Sequence, residues 1–388
     1  MERLRINQYI RGLAPSASIA MMDKARVLKE QGINIISLAG GEPDFDTPKV
    51  ITEACFKAIR DGRTHYTAGR GILPLRERIC QKLQDENNIR CTPQEILVTP
   101  GGKYAIFLAI NTFINPGDEV LILDPSWVSY SSIVEMCGAV PVKVPLSFSD
   151  NYTIRRDALE QAVTPKTRFL ILNSPNNPTG RVLTQQEAED IRAFLLAHDL
   201  LLISDEVYEK IIYDGRPHIS LGSYPDIADR VITVNSFSKS VAMTGWRIGY
   251  LYAAPQLVNA MYLYYQHTLT CISEFSQIAA IAALDCQAEM EQMRLRYAER
   301  RDLMCRGLNE IPGVICRPPE GAFYAWVRIE KNGMTDEQIC SFLLDQARVV
   351  AVAGSGYGLG TESCVRMCFA AADEEIKESI RRIQNALL

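Results

Sequence analysis

The sequence predicts an α/β protein in which a large body, a mostly parallel sheet sandwiched by helices, is joined to a smaller α+β body. Three observations carry this expectation. Apolar strand-like runs alternate with amphipathic helical stretches from about residue 50 to 285, the pattern of a parallel sheet with crossover helices. After Leu284 the pattern gives way to a long charged helical stretch and then several short strands. The length, 388 residues, is more than one ordinary core fills.

Taken in order, "EILVT", "EVLIL", "RFLILN", "LLLISD" and "VITVNS" read as strands. They are short and apolar, and each ends in a polar or turn residue. Beyond them "AEMEQMRLRYAERRDLMCRGL" reads as the long helix, and "GAFYAWVRI", "VVAVAG" and "CVRMCFA" as strands. The expected division is a large domain over residues 46–285 and a small domain built from residues 1–45 and 286–388. There is no internal repeat and no low-complexity stretch.

A hydrophobic fraction of 47% and a charged fraction of 22% fit a soluble globular chain. The net charge of −5 gives no electrostatic case for nucleic acid. No window approaches the roughly 18 uncharged apolar residues of a membrane span, and the charged start "MERLRINQYIRG" is unlike a secretory signal. Eleven cysteines without a C-x-x-C framework point to free thiols and a cytoplasmic location. The only close pair, Cys364 and Cys368, alternates with apolar residues, and no metal site is expected.

Ligands of open parallel sheets sit at the carboxyl ends of the strands. After "EILVT" come Pro100, Gly101, Gly102 and Lys103 at the start of an apolar helix; free N–H groups there suit a phosphate, or form a plain turn. A nucleotide P-loop is excluded, since the upstream glycine is missing and Tyr104 replaces the Ser or Thr. The run "GSGYGLG" also lacks dinucleotide spacing and reads as a flexible loop. "SPNNPTG" offers Asn177 as a side-chain donor. "LLLISD" ends on Asp205, a carboxylate that either caps a following helix or pairs with a cation such as a protonated ring nitrogen. "VITVNS" leads to Ser236, Ser238, Lys239 and Arg247. Desolvation lowers a lysine's pKa and frees its amine to attack an aldehyde. Ser236 and Arg247 would then bind a dianionic phosphate. Phosphate, protonated pyridine nitrogen, ring hydroxyl and aldehyde are together the groups of pyridoxal 5′-phosphate (PLP).

The motifs "SLAGGEPDFDTP", "THYTAGRGILPLRE", "NSPNNPTG", "SDEVYE" and "SFSKSVAMTGWRIGY" resemble those of class I and II aminotransferases of PLP fold type I. The likeness is greatest to the bacterial aspartate aminotransferase branch, and it runs along nearly the whole chain. It implies a Schiff base between Lys239 and the cofactor, with Lys239 later shuttling a proton at the substrate's α-carbon. It implies that Asp205 pairs with the ring nitrogen, that Tyr208 and Asn177 bond the ring oxygen, and that Trp127 stacks on the ring. Gly101, Gly102, Lys103, Ser236, Ser238 and Arg247 would surround the phosphate, Lys103 through its backbone. Tyr66 would reach the phosphate of a neighbouring subunit, which makes the working unit a homodimer.

For substrate, the resemblance implies that Arg366 and Gly41 hold the α-carboxylate, and that Ser16, Ser18 and the Lys103 side chain favour an acidic amino acid. The reaction implied is ping-pong transfer of an amino group from aspartate or glutamate to a 2-oxo acid such as 2-oxoglutarate. Ala14 stands where relatives active on prephenate carry a lysine, and "YQHTLTCISEFSQ" has no arginine for a distal carboxylate. Aromatic, basic or neutral substrates therefore stay open, as does a C–S lyase or synthase on the same scaffold. A cofactor-binding regulator would need a further DNA-binding domain, for which residues 1–45 leave little room.

Overall fold

The computed structural model describes residues 6–13, 17–361 and 363–388. Its centre is a seven-stranded sheet. The strands are β1 (Ile96–Thr99), β2 (Glu119–Asp124), β3 (Val140–Pro145), β4 (Thr167–Asn173), β5 (Leu201–Asp205), β6 (Val231–Ser236) and β7 (Gly249–Tyr252). Their order across the sheet is β1-β7-β6-β5-β4-β2-β3, and only β7 runs antiparallel to its neighbours. All five strands expected from the sequence are present. The two additional ones have a local reason for escaping notice. The β3 segment "VPVKVP" carries two prolines, tolerated because it is an edge strand, and β7, "GYLY", opens on a glycine and has no aliphatic run.

Successive side chains of one strand feed opposite faces of the sheet. Ile122, Ile171, Ile203 and Ile232 meet the helices Gly102–Phe113 and Pro255–Thr268 on one side. Leu121, Leu170, Leu172 and Leu202 meet the helix Gln185–Ala197 on the other. Burial on both faces explains why these strands read as unbroken apolar runs. With the sheet fixed, the carboxyl ends of β1, β2, β4, β5 and β6 lie along one edge.

The C-terminal part begins with the helix Gln287–Asn309 and continues into a four-stranded antiparallel sheet. Its strands are β8 (Val314–Cys316), β9 (Tyr324–Ile329), β10 (Val352–Ala353) and β11 (Cys364–Cys368), in the order β10-β11-β9-β8. "VVAVAG" divides: Val349–Val350 leaves this sheet and pairs in parallel with Ile36–Ser37. That pairing ties the N-terminal segment to the C-terminal part. A core containing Met304, Phe323, Val365 and Phe369 also takes in Tyr208, Ile211 and Tyr213 from the loop after β5. No helix among the described residues is long and apolar enough to cross a membrane. No disulfide joins the eleven cysteines, and Cys364 and Cys368 are buried in β11.

The expectation of a flexible loop at "GSGYGLG" is corrected. Gly354–Tyr357 is a 3-10 turn with Tyr357 buried, and the loop closes over Asp124, a fully buried carboxylate. Lys143 Nζ (3.0 Å), Ser126 Oγ (3.0 Å) and the Leu359 N–H (3.2 Å) all donate to Asp124. Gly354 and Gly358 permit close packing, whereas Gly360 faces open space. At Gly358, φ is +134° and an added Cβ would collide with the Asp124 carboxylate. Gly358→Ala is therefore expected to cost at least about 2 kcal/mol, measured as a lower urea midpoint against wild type.

Candidate active site

A cavity of about 290 Å³ opens where the five strand ends face the C-terminal part. At the end of β1 the chain turns through Gly101, φ +90°, into the helix Gly102–Phe113, whose first turn has no side-chain cap. Its N–H groups are therefore available to an anion. Arg247 lies against Gly101, donating to the carbonyls of Thr244 (2.9 Å) and Pro100 (3.3 Å). Among the described residues no carboxylate pairs with Arg247. Ser236 and Ser238, joined Oγ to Oγ at 2.9 Å, complete this cradle from the end of β6. The amine of Lys103 is pushed below its ordinary pKa by burial and then by Arg247, and it sits 4.9 Å from the ring centroid of Trp127. Positive potential is thus concentrated here, since among the described residues no carboxylate pairs with either cation.

Asp205, at the end of β5, lies elsewhere on the same cavity. Tyr130 Oη donates to its Oδ2 at 2.5 Å, and the Val207 N–H approaches Oδ1 at 3.3 Å. The chain beyond forms a turn and not a helix, so Asp205 caps no helix. Burial lifts its pKa to about 6, against the lowering effect of the Tyr130 hydrogen bond. A cation from a ligand would reverse that shift. Behind Asp205, Glu206, Glu209 and His218 converge, but Lys82 pairs with Glu209, and Ser204 and Ser220 donate to Glu206. Protein groups thus already engage these carboxylates, Glu209 through the Lys82 charge and Glu206 through hydroxyl donors and His218.

Lys239 follows β6 on the short helix Phe237–Ser240, which Ser236 caps. Its amine enters the cavity and donates to the Gly41 carbonyl. Desolvation, the largest influence, brings its pKa down to about 8. On the far wall Arg366, in β11, is buried. It donates to the carbonyls of Ala39 (2.9 Å) and Gly40 (3.2 Å) and to Asn177 Oδ1 (3.1 Å). Its Nε has no partner, and among the described residues no carboxylate faces it. Because Asn177 Oδ1 accepts from Arg366, the amide N–H₂ of Asn177 is the group left for a ligand. Tyr208 Oη lies 2.9 Å from Tyr324 Oη.

The chain thus brings Gly41, Gly102, Lys103, Trp127, Asn177 and Asp205 to one cavity, together with Tyr208, Ser236, Ser238, Lys239, Arg247 and Arg366. Gly101 stands just behind the cradle. Tyr66 does not reach the cavity and is 88% exposed. Ser16 and Ala14 lie outside the described residues, and Ser18 is described only as backbone of the helix Ala17–Glu30. Tyr130, Asn173, Thr244 and Tyr324 also line the cavity and were not anticipated. Asn173 ends its strand just as Asp205 does, and Tyr130 stands one helical turn after Trp127, so both had a local signal. The place of Tyr324 depends on how the C-terminal sheet packs.

A phosphate cradle, a buried carboxylate awaiting a cation and a neutralisable amine fit PLP on one wall each. The sequence profile of the family "Aminotransferase class I and II" matches residues 33–383. The chain belongs to that family. It is a PLP-dependent transaminase, exchanging amino groups between amino acids and 2-oxo acids. This aminotransferase is 41% identical to an aspartate aminotransferase of Musicola paradisiaca, over 97% of its own length and 95% of the relative's. It is 40% identical to an aromatic-amino-acid aminotransferase of Thermococcus litoralis, over 97% and 98%. Among solved structures, the aspartate aminotransferase of Rhizobium meliloti superposes with a TM-score of 0.95 at 36% identity, covering 99% of both chains. That of Thermus thermophilus with maleate gives 0.95 at 35%, covering 99% of this chain and all of the other. The fold is therefore PLP fold type I.

Proposed function

We propose that this aminotransferase takes the amino group of L-aspartate or L-glutamate and gives it to a 2-oxo acid such as 2-oxoglutarate, by a ping-pong route. The observation that carries this reading is a pair of cations, Arg366 and Lys103, that reach the cavity with no carboxylate partner among the described residues. Two cations suit a dicarboxylate, and a ping-pong site must hold donor and acceptor in turn. Arg366 grips the α-carboxylate through its fork of N–H donors, and Lys103 attracts the distal one. The names of the bacterial relatives support the same choice.

PLP, when bound, supplies an electron sink for the charge left at the substrate's α-carbon. Asp205 would keep the proton on the ring nitrogen, and Asn177 and Tyr208 would donate to the ring oxygen. Gly102, Lys103, Ser236, Ser238 and Arg247 would hold the phosphate, with Gly101 setting the turn, and Trp127 would cover the ring face. Lys239 would hold the aldehyde carbon until the substrate's amine displaces it, and the freed Nζ would then move the proton at the α-carbon. Gly41 leaves room beside the α-carboxylate, and the family resemblance alone assigns Ser16 and Ser18 to the substrate's side chain.

Two tests follow. With 2-oxoglutarate as acceptor, kcat/KM for aspartate or glutamate should exceed that for phenylalanine, lysine and alanine; a preference for phenylalanine would overturn the substrate assignment. The lysine's lowered pKa sets the second. Only the neutral amine is nucleophilic, so the rate at which apo-protein develops the visible band with PLP should rise with pH and level off above about 8. A rate still climbing through about pH 10, the range of an ordinary lysine, would show that the amine is not desolvated.

We also propose a cytoplasmic homodimer. The lack of a C-x-x-C framework in the sequence supports the compartment. Tyr66, exposed as are the apolar residues Phe56 and Ile59, supports a second subunit to whose phosphate it contributes. The division into residues 46–285 and residues 1–45 with 286–388 is supported by the separate sheets and by the pairing of Ile36–Ser37 with Val349–Val350.

A further inference from the structure

Tyr324 is a buried phenol that touches groups on both sides of the proposed chemistry. It opens β9 opposite Cys368 of β11, while Arg366 stands opposite Trp326. Tyr324 and Arg366 are thus diagonal neighbours on one face of the antiparallel pair. The guanidinium carbon lies 4.3 Å from the Tyr324 ring centroid. The Tyr324 hydroxyl lies 2.9 Å from that of Tyr208, and a Cβ placed on Gly41 would come within 3.2 Å of it.

A phenol has one proton to donate. When Tyr208 gives its proton to the ring oxygen of the cofactor, the bond between the two phenols can run only from Tyr324 to Tyr208. Burial holds the Tyr324 hydroxyl well above its ordinary pKa, so it stays a donor. A hydrogen bond received by Tyr208 strengthens the one it gives. The ring face, meanwhile, offers the buried guanidinium a cation–π seat where no carboxylate neutralises it.

We infer that Tyr324 is a positioning residue with two separable tasks: its hydroxyl strengthens the hydrogen bond from Tyr208 to the cofactor, and its ring seats Arg366 for the substrate carboxylate. This rests on the roles proposed above for Tyr208 and Arg366. Tyr324→Phe removes the first task and keeps the second, whereas Tyr324→Leu removes both.

The test is a pH titration of the visible absorption of PLP-loaded wild type, Tyr324→Phe and Tyr208→Phe, with KM for the preferred amino acid measured alongside for wild type and both Tyr324 variants. Donation to the ring oxygen withdraws electron density and lowers the cofactor's proton affinity. Tyr324→Phe should therefore move the midpoint upward, by less than Tyr208→Phe does, with KM within about twofold of wild type. Tyr324→Leu should raise KM roughly tenfold; if it does not fold, Tyr324→Met, unbranched and more adaptable in a core but likewise lacking a π face, takes its place. An unmoved midpoint in Tyr324→Phe overturns the first task, and a wild-type KM in the Leu or Met variant overturns the second. Wild type that develops no visible band would instead contradict the cofactor site itself, a failure visible before either variant is made.

Discussion

Replacing Lys239 with alanine is expected to lower kcat by about 10⁴-fold or more while leaving the fold intact. One amine performs two jobs in the proposed chemistry, and general acid–base catalysis alone contributes up to about 10⁴-fold. The side chain can be removed without collapse because it projects into the cavity rather than a packed core. Its one hydrogen-bond acceptor, the Gly41 carbonyl, sits at the same cavity. Stopped-flow and steady-state assays of Lys239→Ala, with circular dichroism to establish folding, check this directly. A folded variant retaining a tenth of wild-type turnover would remove Lys239 from the chemistry.

The second large effect belongs to Arg366. Its guanidinium is buried, held in place by three oxygen acceptors that carry no formal charge, and faces the cavity. In the proposed function a substrate carboxylate supplies the counter-charge. Loss of one partner from such a desolvated pair costs about 2–5 kcal/mol, so Arg366→Ala should lower kcat/KM by about 30- to 4,000-fold, mainly through KM for both amino acid and oxo acid. Arg366→Lys keeps the charge but not the fork, and should lose less. Equal KM values in wild type and Arg366→Ala would show that the carboxylate binds elsewhere.

Much of this was legible in the sequence because the groups that matter are local to strand ends. A buried parallel strand announces itself as an apolar run, and the residue that breaks the run is the one delivered to the edge where ligands bind. Asp205 and Ser236 were found that way, and Lys239 by the contrast between its charge and its surroundings. Arg366 was not accessible to that reasoning. Inside "CVRMCFA" it looks like an ordinary strand arginine, and only the family resemblance singled it out; its exceptional feature, burial without a counter-ion, exists only after folding. The same limit explains Tyr324, which meets Tyr208 across 116 positions of sequence. The "GSGYGLG" run was misread for the opposite reason. Glycine content signals freedom when a loop is solvated, but here it lets backbone press against the Asp124 carboxylate.

The most direct test of the assigned chemistry is a single half-reaction. PLP-loaded wild-type protein is mixed with aspartate or glutamate in the absence of any oxo acid, and its absorption spectrum is followed. The proposed roles require the visible band to disappear stoichiometrically as the amino group passes to the cofactor, to return when 2-oxoglutarate is added, and to release no ammonia. A band that persists with every amino acid tried, or that returns unaided as ammonia accumulates, would contradict amino-group transfer by this site.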